Sequence, residues 1–98
     1  MFVNAHAREQ LVRRVGYDEA SRILARLERL HGTSDDVAID VATLPAFRYA
    51  DGTPSGSNGD TVVVIVRGGE VTTVMLRRSW NQPFTPEALG VDRVDRLR

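Results

Sequence analysis

Residues 60–78 read DTVVVIVRGGEVTTVMLRR, two β-branched runs on either side of Gly68-Gly69. Glycine takes positive φ without steric cost, so this pair suits a two-residue hairpin turn, and such a turn fixes the strand register. Strict alternation then predicts Arg67 opposite Glu70, Val66 opposite Val71, Val64 opposite Thr73, Val62 opposite Met75 and Asp60 opposite Arg77. The second face would pair Ile65 with Thr72, Val63 with Val74 and Thr61 with Leu76. Both faces are largely apolar, so the hairpin must lie within a sheet and be at least partly covered on both sides.

The rest of the chain has to supply that cover. Ninety-eight residues make one domain, 1–98, with room for a modest core and, lacking cysteine, no disulfide to staple it. The start, MFVNAHAREQ, is not patterned as a signal peptide, and the run from Val62 to Val66 is too short for a bilayer. The expectation is a soluble, cytoplasmic protein with no membrane insertion.

Two amphipathic segments come first. Asn4 is placed to cap a helix ended by Gly16, with Ala7, Leu11 and Val15 on one stripe and Val12 widening it. A second helix runs from Asp18 as cap to Gly32 as stop, with Ala20, Ile23, Leu24, Leu27 and Leu30 repeating at 3.6 residues. Only about two residues join them, which predicts an antiparallel or steeply crossed pair. Val37, Ile39 and Val41 then alternate as a half-exposed strand, Pro45 breaks it, and Phe47–Ala50 is a candidate short strand. Residues 51–59, DGTPSGSNG, are turn formers and predict a mobile loop whose acidic spacing matches no calcium site. Near the end, Thr85 and Pro86 begin a helical turn stopped by Gly90, and 91–98 either adds a strand or frays. The expected fold is α+β, two N-terminal helices packed on a twisted, mainly antiparallel four-stranded sheet, with Val3 as a possible further strand. Which sheet face the helices cover is open; the other would form a shallow groove.

Charge narrows the function. The formal net charge is zero, and all 13 basic side chains are arginine. A neutral surface releases few counterions and binds nucleic acid poorly, so any RNA role must rest on a local arginine cluster. The absence of lysine fits the codon usage of a GC-rich genome.

The candidate site is His6 with Arg13 or Arg14, joined across the fold by Thr72 or Thr73 and by Arg77 or Arg78. Transesterification of RNA needs a base for the 2′-hydroxyl, an acid for the leaving oxygen and cations for the phosphorane. Histidine can serve as base or acid, and arginine as the cation. The same residues have ordinary uses: a solvated first-turn histidine, surface charges, strand-forming threonines. Trp80 and Phe84, beside Pro83, are either interface anchors or core closures.

His6-Ala7-Arg8-Glu9-Gln10 through Arg14, followed by a second helix and a strand pair ending near Thr73, resembles a small bacterial and phage domain family of unassigned function. That family opens H-A-x-x-R-x-x-x-R and closes on a strand carrying a threonine. It is grouped with the ribonuclease superfold of barnase, EndoU, the colicin nucleases and the RelE and BrnT toxins. The closing segment, from Gly59 to Val94, is also similar to small proteins of actinobacterial phages. The resemblance implies a RelE-like fold and a toxin-like, metal-independent ribonuclease without cofactor, with His6, Arg14, Thr73 and Arg77 at the site and an antitoxin as possible partner. At position 10 glutamine stands where the family has its first arginine, removing one cation. The alternative is a non-catalytic phage protein that uses this scaffold to bind and divert a host protein. The oligomeric state stays open.

Overall fold

The computed structural model describes residues 1–32, 34–43, 61–77 and 83–97. The expected strand at Phe47–Ala50, the expected loop at 51–59, and Asp60, Arg78 and Trp80 lie outside these. Chain order is β1 (Phe2–Val3), α1 (Ala5–Val15), α2 (Tyr17–Glu28), β2 (Val37–Thr43), β3 (Thr61–Arg67), β4 (Glu70–Arg77), α3 (Pro86–Leu89) and β5 (Arg93–Arg96). Among the described residues no helix is long and apolar enough to cross a membrane.

The fold is α+β, with two N-terminal helices as expected, but among the described residues its sheet is mixed and five-stranded, ordered β1-β4-β3-β2-β5. The β2-β3-β4 meander is antiparallel, while β1 joins β4 and β5 joins β2 in parallel. The two parallel edges arise from distant crossovers, through the helical pair and through the connection after β3-β4, which no local periodicity records.

Asn4 caps α1 as expected, its Oδ1 accepting from the Ala7 amide at 2.8 Å. Gly16, at φ 87° and ψ 164°, ends α1 and also opens α2, so a single residue joins the helices. Asp18 therefore sits inside the first turn of α2, where its charge suits the helix dipole, instead of capping it. The helix stops at Glu28, short of Gly32, because Arg29 and Leu30 tighten into a last turn on the carbonyls of Arg26 and Leu27. Arg8 in the first turn of α1 reaches Glu28 in the last turn of α2 at 2.9 Å, so the helices run antiparallel.

Ala7, Leu11, Ala20, Ile23 and Leu27 are buried against Val37, Ile39, Val41, Val62, Val64, Val66, Val71 and Val74. The helices thus cover the face bearing the even-numbered valines of β3. Leu24 is half-buried against this core, and Val12 is exposed and does not widen the stripe. The opposite face is no open groove: Phe84, Leu89, Val91 and Val94 pack over Ala38, Val63 and Ile65.

The hairpin turn is the two-residue one expected, with φ of 60° at Gly68 and 80° at Gly69. Arg67 faces Glu70 and Val66 faces Val71, but Ile65 then faces Thr73, which makes Thr72 an extra residue. Every later pair is shifted by one: Val64 meets Val74, Val63 meets Met75, Val62 meets Leu76 and Thr61 meets Arg77. The cause is the spacing of Val71 and Val74. Regular alternation would put them on opposite faces, whereas the bulge keeps both under the helices. Thr72 Oγ1 donates to the Ile65 carbonyl at 3.3 Å across it. A second irregularity leaves Val41 extra in β2, and Arg26 of α2 donates to its carbonyl at 3.0 Å.

Candidate functional site

His6 is exposed in the first turn of α1, Arg14 is exposed in its last turn, Thr73 is exposed on β4, and Arg77 is half-buried at the end of β4. Helix α1 lies along β4: the Asn4 amide donates to the Val71 carbonyl at 3.2 Å, and Gln10 meets Val74 further on. His6 therefore stands near the start of β4 and Arg77 near its end, about 20 Å apart at ~3.3 Å per residue. One phosphate does not reach both. Among the described residues no hydrogen bond or ion pair joins any two of the four.

Gln10 has a structural use that explains its departure from the arginine pattern. Its Oε1 accepts from the Val74 amide at 3.0 Å, just past the bulge and beyond the two-residue reach of β1. Arginine has no acceptor and would leave that amide unserved. Arg13 is held by Glu9 at 2.8 Å on the helix surface.

Arg77 belongs to a different cluster. At the end of the sheet where β2, β4 and β5 finish and β3 begins, a polar cavity of about 470 Å³ is lined by Glu19, Arg26, Asp40, Thr43, Thr61, Arg77 and Arg96, among others. Thr61 is buried and donates its hydroxyl to the Arg77 carbonyl at 3.3 Å, tying the strand ends together. The guanidinium carbons of Arg77 and Arg96 each stand 5.4 Å from the centre of the Phe84 ring. Arg96 reaches Asp40 at 3.6 Å, and the Asp40 side chain is only 13% exposed. Arg77 Nε is buried and, among the described residues, has no hydrogen-bond partner.

No family model matches this chain, and neither a curated protein nor a solved structure does. The cavity has to be read from its own chemistry. Among the described residues three guanidiniums meet two carboxylates there, and Glu19 is already bridged to Arg22 outside. Arg26 is committed through one nitrogen to Val41. Among the described residues that leaves Arg77 and Arg96 with donors to spare on planar forks, the geometry that suits the paired oxygens of phosphate or carboxylate.

Of the residues singled out from sequence, Arg77 lies in this cavity, and His6, Arg14 and Thr73 do not line it. Arg26, Asp40 and Arg96 carried no local signal. Arg96 reaches the site only because β5 pairs in parallel with β2, setting Arg96 beside Asp40. Of the two uses expected for Phe84, the structure shows core closure, with two guanidiniums on its ring as well.

Proposed function

We propose that the protein binds a phosphodiester of RNA in the arginine cavity and acts there as a toxin-type, metal-independent ribonuclease in the cytoplasm, on the RelE-like scaffold its sequence resembles. The observation that carries this reading is the gathering of Arg77 and Arg96 on one ring, with no carboxylate bonded to Arg77 among the described residues. Planar guanidinium forks beside a polar cavity suit the paired oxygens of a phosphate. The element order, a helical pair ahead of an antiparallel meander, supports the scaffold assignment.

In this reading Arg77 and Arg96 hold the scissile phosphate and offset the charge that builds on the phosphorane. The Asp40 carboxylate takes the 2′-hydroxyl proton as that oxygen attacks phosphorus, and the departing 5′-oxygen is protonated by water at the open mouth. His6, at the far end of β4, has no part in it. Purified protein should cleave a mixed RNA pool, with or without ribosomes, and inhibit growth of a host. Arg77→Ala and Arg96→Ala should abolish both effects, and His6→Ala should leave both intact. RNA that survives intact under both conditions would remove the enzymatic reading.

A second reading rests on the zero net charge, which disfavours long nucleic-acid contacts, and on Phe2 and Tyr17, exposed at 63% and 75%. It makes the chain a non-catalytic binder of a host protein. Growth inhibition that persists in Arg77→Ala and vanishes in Phe2→Ser or Tyr17→Ser, with RNA intact, selects it.

A further inference from the structure

We infer that Phe84 is the positioning residue of the cavity: its ring gathers the guanidiniums of Arg77 and Arg96 so that one phosphate group meets both. The inference rests on reading the cavity as a phosphate site. Arg77 ends β4 and Arg96 ends β5, and β3 and β2 lie between them, so their backbones are at least about 14 Å apart at ~4.8 Å per strand. Yet each guanidinium carbon stands 5.4 Å from the same ring centre, so the two cations are at most twice that distance apart. Like charges do not converge of their own accord. Asp40 accounts for Arg96, at 3.6 Å, but among the described residues no carboxylate holds Arg77.

The ring supplies what is missing. An aromatic face carries negative electrostatic potential and attracts a guanidinium without consuming its N–H donors, which stay free for a ligand. A carboxylate in that place would hold the arginine equally well and would repel the phosphate. The ring is itself fixed. It packs with Leu89, Val91 and Val94 against Ala38, Val63 and Ile65, and the next residue, Thr85, caps α3 by accepting from the Ala88 amide at 3.3 Å.

Ring electronics separate this role from plain packing. The probe is a short 2′-deoxy oligouridylate, which lacks the attacking hydroxyl and so reports binding alone; its affinity is measured at fixed salt alongside thermal unfolding. Phe84→Leu should weaken binding by about fivefold to thirtyfold, the range for losing two modest cation–π contacts, and Phe84→Tyr should stay within about twofold of the parent. Pentafluorophenylalanine at position 84 keeps the ring's shape and reverses its potential; it should weaken binding at least as much as leucine while leaving unfolding unchanged. This last variant decides the matter even if Phe84→Leu fails to fold. Parent-level affinity with the pentafluoro ring would overturn the positioning role. Parent-level affinity in Arg77→Ala would instead overturn the cavity as the phosphate site.

Discussion

At the Gly68-Gly69 end of the sheet, Arg67 reaches Asp36 at 2.8 Å and the Gly90 carbonyl at 3.3 Å, and Arg93 bridges Asp35 at 2.5 Å and Asp95 at 3.3 Å. At the other end, Arg77 and Arg96 lie over an aromatic ring, with Asp40 the one carboxylate bonded to either among the described residues. Both ends spend arginine on holding the C-terminal segment to the sheet. The turn end does so with the chain's own carboxylates and carbonyls, so its cations are satisfied. The open end uses a ring and one carboxylate, so among the described residues it leaves guanidinium donors without a partner. Under the proposed function the contrast separates arginines that clamp from arginines that hold a ligand, a distinction that composition alone cannot make.

The hydrogen bond to Asp95, before any other influence, holds Arg93 above its ordinary pKa against some loss from desolvation. A raised basic pKa contributes stability that is complete below the unfolded value and is lost only as pH rises through the folded one. This clamp's cation is therefore present throughout the neutral range. Between its ends the sheet shares one helix-covered core, and the largest expected effect lies there. Leu27→Ala should cost roughly 2–5 kcal/mol in denaturant unfolding, because the side chain is fully buried between α2 and the strands. A loss below about 1 kcal/mol would mean that the helices do not brace the sheet, and the two ends could no longer be compared on a common base.

Next in size is the turn end itself. Gly69 has φ of 80°, which a β-branched residue resists, so Gly69→Val should destabilise by about 1–3 kcal/mol. It should not change RNA affinity once the protein is folded, since the turn is a full strand length from the cavity. Reduced affinity in folded Gly69→Val would show that the ends are coupled.

The turn and the register show where sequence reading succeeds and where it stops. Gly68-Gly69 announces its own conformation, and the first two pairs follow from it. The register then slips because Val71 and Val74 must both face a helix, and only the packed structure says so. The site divides likewise. Arg77 was expected at the site, but with His6 and Arg14 of α1 as the partners that the family resemblance implies. Its actual neighbours, Phe84 and Arg96, arrive by a crossover that no local pattern encodes, and Gln10, which looked like a missing cation, is a hydrogen-bond acceptor for β4.

The smallest expected effect is the sharpest test of the contrast between the ends. Arg67→Ala removes an ion pair whose side chains are about half exposed, worth roughly 0.2–1 kcal/mol and screened by salt, so it should lower stability a little at low ionic strength and less at high. Arg77→Ala should change stability by no more than about 0.5 kcal/mol. It gives up a stacked stem, but it also removes a buried donor that has no partner among the described residues and one of two neighbouring like charges. Added salt should act on it in the opposite sense: screening relieves repulsion in the parent, so the parent should gain on the variant as salt rises. Chemical unfolding of the two variants at low and high salt measures both signs. If Arg77→Ala instead loses stability as much as Arg67→Ala and with the same salt dependence, then Arg77 is a clamp like Arg67 and has no spare donors to offer a ligand.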